Sequence, residues 1–308
     1  MSSNLSGNPP DMMLRRILIF GVIVVALTVW LQRKLMYPAM QAPSLAVKDF
    51  PQLQQFFADV SDVSLKTADD VTIRGWMLQS KNERAEFVFL LFHGNGGHRG
   101  HRSFWYEVIR TLDADVLAID YHGYGDSGGQ PSEKALQNDA RAAWDHVISL
   151  GYRPDQILVA GESLGGGVAV QLAAEKCKAG QPPHSLILLA TFDSMLNAAC
   201  YHFPWLPVRW VLLDRYHSDR VIDQVTCPVL QFHGDQDDIV PLTLAKSLHQ
   251  ATPEKSESGR ARYFRIFSGG GHNNLLRDFA RDIRDDIAER LNLPRRYSAE
   301  ESRSDSAK

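Results

Sequence analysis

Apolar β-strands alternate with helical segments along most of this 308-residue chain, and this alternation restricts the possible folds more than any other feature. Strands that are apolar along their whole length are typical of a parallel sheet covered on both faces. We therefore predict an α/β fold with a doubly wound, mostly parallel sheet of about eight strands. The predicted strands span residues 87–93, 115–120, 157–161, 185–190, 228–233 and 263–267, and the predicted helices span 99–112, 132–150, 164–178, 243–250 and 274–291.

The predicted globular domain covers residues 59–293 and begins with an antiparallel hairpin. Its two strands, DVSLKT and VTIRGWML, alternate polar and apolar residues and are separated by the turn-forming residues ADD. A hydrophobic content of 44% is sufficient for the core of one such domain. The proline-containing segment 37–58 is expected to link this domain to the N-terminus. The polar ends, residues 1–13 and 294–308, are expected to be disordered tails.

An uncharged apolar run, ILIFGVIVVALTVWL, occupies residues 17–31 and is flanked on each side by two basic residues. At about 1.5 Å per residue the run covers roughly 22 Å, so neighbouring residues must extend it to reach across a hydrocarbon core of about 30 Å. We predict a single transmembrane anchor over residues 14–36, which would place a bacterial protein in the inner or plasma membrane. A cleaved signal peptide and a buried core helix are the alternatives. The equal basic flanks leave the orientation open.

Charge and cysteine content exclude several other classes of protein. The net charge is -3 and no long basic stretch is present, so a nucleic-acid partner is not expected. The three cysteines, Cys177, Cys200 and Cys227, lie far apart without metal-ligand spacing and are interpreted as thiols. No cofactor or metal is predicted, and the sequence does not indicate an oligomeric state.

The sequence GESLG at residues 161–165 carries the clearest chemical signal. It follows the apolar strand ILVAG and opens a helix, which is the context of a nucleophile elbow. A serine hydroxyl is a poor nucleophile unless it is held exposed beside a base, and the sharp turn from strand to helix provides this exposure. We therefore predict Ser163 as a nucleophile, with the backbone N–H of Leu164 as one donor to an oxyanion.

A base and an acid are expected in loops that follow later strands, because the carboxyl ends of parallel strands meet at one edge of the sheet. After the last predicted strand, the sequence SGGGHN carries His272, which we predict as the general base. After the preceding strand, the sequence HGDQDDIVP carries Asp235, Asp237 and Asp238. Chemistry alone leaves all three aspartates open as the acid.

Five motifs in this order resemble the α/β-hydrolases, most closely the membrane-anchored lysophospholipase-like and serine aminopeptidase-like group. The motifs are HGNGG, DYHGYGDSGG, GESLGG, HGDQDDIVP and GGGHN, and the resemblance covers about residues 60–291. The family pattern in the fourth motif implies that Asp237 is the acid. The first motif implies that the backbone N–H of Asn95 is the second oxyanion donor.

The predicted activity is hydrolysis of a carboxylic ester through an acyl-enzyme, with a small molecule or an acyl lipid such as a lysophospholipid as substrate. An insertion rich in Phe, Trp and Leu at residues 191–226 lies where this fold places its cap, which favours a hydrophobic substrate. Thioesterase activity, serine aminopeptidase activity and a non-catalytic binding role are the alternatives. For Glu162, next to the nucleophile, two roles stay open, namely raising the basicity of His272 or bonding within the elbow.

Overall fold

The sheet has eight strands in the order β1-β2-β4-β3-β5-β6-β7-β8, in a computed structural model that describes residues 9–81 and 85–294. Residues 1–8 and 295–308, which belong to the predicted disordered tails, lie outside the described residues. The strands are β1 (Asp59–Lys66), β2 (Thr72–Gln79), β3 (Val88–Phe92), β4 (Asp115–Asp120), β5 (Ile157–Glu162), β6 (Ser185–Leu189), β7 (Val229–Gly234) and β8 (Tyr263–Phe267). The helices are α1 (Pro9–Met36), α2 (Leu53–Phe56), α3 (Ser103–Arg110), α4 (Glu133–Ser149), α5 (Leu164–Lys178), α6 (Met195–His202), α7 (Val208–Val211), α8 (Leu242–Ala251) and α9 (Leu275–Leu291).

The prediction of a mostly parallel sheet is confirmed. Strands β1 and β2 form the expected antiparallel hairpin, and β2 also pairs antiparallel with β4. All pairings from β4 through β3 and β5 to β8 are parallel. The carboxyl ends of these parallel strands therefore meet at one edge, where the candidate residues follow β3, β5, β7 and β8.

Two hydrophobic clusters cover the two faces of the sheet, as the fully apolar strands require. One cluster contains Trp144 of α4 and Leu172 of α5, and the other contains Trp105 of α3 and Ile283 of α9. Each such side chain is at most 3% exposed, and burying one contributes about 1.5–3 kcal/mol. The two layers of helices hold the sheet between them and leave its carboxyl edge available for a site.

The predicted linker, residues 37–58, packs against the domain. Leu45, Leu53 and Phe57 are buried in the core cluster on the α3 and α9 face. The indole N–H of Trp76 in β2 donates to the carbonyl oxygen of Leu45 over 2.9 Å. The apolar residues of this segment therefore contribute to the core, which its proline content alone does not indicate.

Helix α1 begins at Pro9, within the predicted N-terminal tail, at a position where proline is favourable because the first N–H groups of a helix have no partner within it. The C-terminal end of α1 is fixed to residues 191–226, the segment predicted to form the cap. The side-chain amide of Gln32 donates to the carbonyl oxygen of Val211 over 3.2 Å, and Arg33 forms an ion pair of 2.9 Å with Asp214. Among the described residues, no helix has both the length and the apolarity needed to cross a membrane. The predicted transmembrane anchor at residues 14–36 is not confirmed.

A buried ion pair joins β4 to the turn before α3. Asp120, at the end of β4, is fully buried and accepts hydrogen bonds from the backbone N–H and the guanidinium of Arg99. Burial acts to raise the pKa of Asp120, but contacts with His93 and Arg99 outweigh burial and hold that pKa below its ordinary value. Arg99 also donates to the carbonyl oxygen of Leu45 over 3.0 Å. The pair therefore ties the N-terminal segment to the sheet.

Replacing Arg99 by methionine tests the contribution of the buried ion pair to stability. Methionine keeps an apolar stem and leaves the buried carboxylate of Asp120 without the guanidinium. We expect the free energy of unfolding in urea to fall by about 3–5 kcal/mol. The matched control is Arg153→Met, since Arg153 forms an exposed pair with Asp155, and it should cost about 0–1 kcal/mol. Equal losses in the two variants would contradict the structural role of the buried pair.

Candidate functional site

Ser163 lies in a sharp turn between β5 and α5. Its backbone angles, φ 52° and ψ -115°, fall in a region that residues other than glycine rarely adopt. The glycines on either side, Gly161 and Gly165, lie so close to neighbouring backbone that no side chain fits there. A methyl group on Gly161 would lie 2.3 Å from the carbonyl oxygen of Gly165, and one on Gly165 would lie 2.1 Å from that of Phe92. The GxSxG spacing therefore allows the end of β3 to approach the turn closely.

Neighbouring strands hold this strained turn in place. The backbone N–H of Ser163 donates to the carbonyl oxygen of Leu189 in β6 over 2.9 Å. The carbonyl oxygen of Ser163 accepts a hydrogen bond of 2.8 Å from the hydroxyl of Thr191. A backbone conformation of this kind costs about 1–3 kcal/mol and persists only where surrounding contacts hold it in place. The two hydrogen bonds of Ser163 do this here.

Three predicted residues, Ser163, His272 and Asp237, form one hydrogen-bonded line. The Nε2 atom of His272 lies 3.0 Å from Oγ of Ser163, and its Nδ1 atom lies 2.8 Å from Oδ2 of Asp237. The other carboxylate oxygen of Asp237 accepts from the backbone N–H groups of Ile239 and Val240 over 3.0 and 2.7 Å. These bonds fix the orientation of the carboxylate toward the imidazole.

The other two candidate carboxylates have different surroundings. Asp235 accepts a hydrogen bond of 2.8 Å from the backbone N–H of Gly269, in the loop that carries His272. Asp238 is exposed to solvent. The structure thus brings Asp237 to His272 and uses Asp235 to hold the neighbouring loop.

A second histidine, His233, also lies near Asp237. Its Nε2 atom is 3.4 Å from Oδ2 of Asp237 and 2.8 Å from the carbonyl oxygen of Val240. Burial lowers the pKa of His233, which favours the neutral ring. His233 is therefore a second buried neighbour of the carboxylate, held by the backbone of the loop that carries Asp237.

The HGNGG loop passes directly beside the serine. A methyl group on Gly94 would lie 3.5 Å from Cβ of Ser163. Asn95 is the next residue, and its side-chain amide donates to the carbonyl oxygen of Met36, the last residue of α1, over 3.3 Å. Leu164 is the first residue of α5 and is buried. Leu164 therefore follows Ser163 directly in the chain, and Asn95 follows Gly94, the loop residue that lies beside Ser163.

Comparison with known proteins agrees with this fold. A sequence model of the alpha/beta hydrolase fold matches residues 88–215. An uncharacterized protein of Mycobacterium tuberculosis is 36% identical over 79% of this chain and 81% of its own length. The chain belongs to the α/β-hydrolase family. The resemblance inferred from the five motifs is confirmed.

A sequence relative of this hydrolase and a protein of similar structure have named activities. The lysophosphatidylserine lipase ABHD12 of Danio rerio is 36% identical, and the match covers 63% of this hydrolase and 58% of the lipase. The structure of the Pyrococcus furiosus esterase Pf2001 superimposes with a TM-score of 0.63 over 82% of this hydrolase and 97% of the esterase. The sequence identity to that esterase is 17%, so this second likeness supports the fold.

Glu162 of the hydrolase bonds away from His272. Its Oε1 atom accepts from the guanidinium of Arg102 over 2.7 Å, and its Oε2 atom accepts from the indole N–H of Trp105 over 3.2 Å. Arg102 also donates to the carbonyl oxygen of Gly96 over 2.8 Å. Sequence analysis missed Arg102 and Trp105 because they lie 60 and 57 residues from Glu162, and no motif spacing relates them.

Proposed function

We propose that this protein is a serine hydrolase that cleaves carboxylic esters with Ser163 as nucleophile, His272 as general base and Asp237 as the orienting acid. The hydrogen-bonded line from Ser163 through His272 to Asp237, set on a strained strand-to-helix turn, is the observation that carries this proposal. It combines a nucleophile with a base and with a group that orients the base.

The geometry supports a two-step mechanism. Oγ of Ser163 attacks the ester carbonyl carbon while Nε2 of His272 takes the hydroxyl proton. The carboxylate of Asp237 stabilises the imidazolium that forms, and its side chain is fully buried, which strengthens this interaction. His272 then gives the proton to the leaving alcohol. Water activated by the same imidazole hydrolyses the acyl-enzyme and restores the serine.

Oxyanion stabilisation is assigned to the backbone N–H groups of Asn95 and Leu164. Negative charge develops on the carbonyl oxygen during the attack, and two preorganised donors offset it. The closeness of Gly94 to Ser163 supports this assignment, since Asn95 follows in the same loop. The likeness to a lysophosphatidylserine lipase favours an ester over a thioester or a peptide.

Labelling by a fluorophosphonate probe tests Ser163, and the rate of ester turnover tests Asp237. We expect Ser163→Ala to abolish labelling because the probe reacts with an activated serine. Asp237→Asn should slow ester turnover by about 10³- to 10⁴-fold, since the amide favours the wrong imidazole tautomer. Asp238→Asn is the matched control and should leave turnover unchanged, because Asp238 is exposed. Absence of labelling in folded wild-type protein would refute the proposal.

The cap favours an acyl lipid as substrate. Residues 191–226 form α6, α7 and the loops around them, and this segment carries large apolar side chains on its surface. Trp205 and Trp210 are 75% and 87% exposed, and Phe203 and Leu213 are also exposed. His202 of α6 bonds to the carbonyl oxygen of Ile239 over 2.8 Å, which places the cap next to the loop of Asp237. Apolar surface so close to the site suits an acyl chain.

A series of p-nitrophenyl esters with increasing acyl length tests the substrate class. We expect kcat/KM to rise with chain length in the wild type, at about tenfold for each 1.4 kcal/mol of additional apolar contact in the transition state. Trp210→Ser should reduce this preference, whereas Leu150→Ser should not, because Leu150 is exposed at the end of α4. A preference for the shortest esters would contradict a lipid substrate.

We also propose that α1 attaches the hydrolase to a membrane as the single anchor expected from the sequence. Apolar side chains along α1, including Ile17, Leu18, Ile19 and Phe20, are 58–68% exposed, which is unfavourable in water. The ion pair between Arg33 and Asp214 would hold the cap close to such an attachment.

Subcellular fractionation of full-length protein tests this attachment. We expect Ile19→Asp with Ile23→Asp to move the protein into the soluble fraction, because each charge opposes insertion by about 2.5–3.5 kcal/mol. Ile148→Asp, at an exposed position in α4, is the control and should leave the distribution unchanged. Retention of the double variant in the membrane fraction would contradict the proposed role of α1.

A further inference from the structure

We propose that Arg102 is a positioning residue that sets the distance between the Ser163 elbow and the HGNGG loop, a role that rests on the proposed ester hydrolysis. Its guanidinium bonds at the same time to Glu162, the residue before the nucleophile, and to the carbonyl oxygen of Gly96, the residue after Asn95. One rigid planar group therefore connects the two backbone segments that carry the nucleophile and a proposed oxyanion donor.

The guanidinium is suited to this connection by its shape. Nη1 faces the carboxylate of Glu162 at 2.7 Å and Nη2 faces the carbonyl oxygen of Gly96 at 2.8 Å. The planar fork of arginine fixes the relative positions of these two acceptors. A lysine ammonium is a single point charge at the end of a flexible chain, so it cannot hold both acceptors in the same geometry.

The surrounding residues are arranged to admit the guanidinium. Gly97 has a φ of 80°, and a methyl group there would lie 3.0 Å from Nη2 of Arg102 and 2.7 Å from Nδ1 of His101. A methyl group on Gly94 would lie 3.4 Å from Oε1 of Glu162. The glycines of the HGNGG loop thus permit close packing against Arg102 on one side and against the elbow on the other.

Glu162 is held at both carboxylate oxygens, which argues against a direct effect of its charge on His272. Arg102 binds one oxygen and the indole of Trp105 binds the other. The side chains of Arg102 and Glu162 are 13% and 20% exposed, so solvent screens this pair only partly. We infer that Arg102 neutralises Glu162, and that Glu162 anchors Arg102 to the end of β5.

Two neighbouring residues of the HGNGG loop are therefore held by hydrogen bonds to groups outside the loop. Arg102 holds the carbonyl oxygen of Gly96, and the carbonyl oxygen of Met36 accepts from the side chain of Asn95. The N–H proposed to face the oxyanion belongs to Asn95, so one tether acts on the donor's own residue and the other on the residue that follows it. Loss of one tether should let the donor move, and small displacements of such donors lower the rate strongly.

Steady-state hydrolysis of p-nitrophenyl butyrate by full-length Arg102→Met tests the proposal. Methionine keeps the apolar stem and removes both contacts. We expect kcat to fall by about 10- to 100-fold with KM changed less than about twofold, because the loss concerns the transition state. Arg102→Lys should restore only part of kcat, since it can serve one acceptor. Arg110→Met is the matched control, because Arg110 is the last residue of α3, the helix that begins directly after Arg102, and it stacks on Phe56 at 4.9 Å.

Affinity for a boronic acid inhibitor separates positioning from general destabilisation. The tetrahedral adduct resembles the transition state, so its affinity should fall in Arg102→Met by the same factor as kcat. A purely structural role would lower the unfolding temperature without this parallel loss. Glu162→Gln should reduce kcat less than about fivefold, because glutamine still accepts from Arg102 and the contact with Gly96 is kept.

Three outcomes would overturn the inference. In the first, Arg102→Met matches Arg110→Met in kcat. In the second, kcat falls but boronic acid affinity does not. In the third, Glu162→Gln lowers the kinetic pKa of kcat/KM, which would show that Glu162 acts on His272 through its charge. Wild-type protein without hydrolysis or fluorophosphonate labelling would instead refute the proposed function itself, so the two failures are distinguishable.

Discussion

The candidate site depends on the close approach of two backbone segments, the start of α5 and the end of β3. No side chain larger than hydrogen fits at Gly165, because a methyl group would lie 2.1 and 2.6 Å from the carbonyl oxygens of Phe92 and His93. This contact brings Ser163 beside the HGNGG loop. A second close approach of the same kind occurs at Gly234, where a methyl group would lie 2.0 Å from the carbonyl oxygen of Gly270. This approach brings together the loops that carry Asp237 and His272. Glycine at both positions lets loops from different strands converge.

Segments outside the alternating strands and helices also contact the loops that converge at the site. The buried pair of Asp120 and Arg99 reaches the carbonyl oxygen of Leu45, so residues before the sheet contribute to the core that supports the HGNGG loop. Met36 at the end of α1 accepts from Asn95, and Arg33 of the same helix pairs with Asp214 of the cap. The end of α1 therefore contacts both the loop beside the serine and the cap, and the proposed attachment to a membrane would act close to the site.

Predictions from local pattern succeeded where the signal was local. The bounds of β4, β8 and α5 match the predicted bounds exactly, because an apolar strand and a periodic helix are encoded in consecutive residues. The segment 37–58 was interpreted as a linker because prolines interrupt its periodicity, yet Leu45 and Phe57 are buried. The role of Glu162 stayed open for a similar reason. Its partners, Arg102 and Trp105, are distant in sequence, and a hydrogen bond between distant residues produces no periodic pattern in the sequence.

The sequence by itself determined the fold class, the strand-to-helix turn at Ser163 and the order of the chemical groups, because these follow from periodicity and from the steric needs of glycine. It also predicted His272 as the base, and the family resemblance implied Asp237 as the acid, although chemistry alone left three aspartates open. Only the tertiary structure gives a physical reason to favour Asp237 over Asp235, since it places Asp237 2.8 Å from the imidazole and directs Asp235 to the backbone of Gly269. That choice depends on loop conformation at the edge of the sheet, where a shift of one residue along the chain points a side chain in another direction.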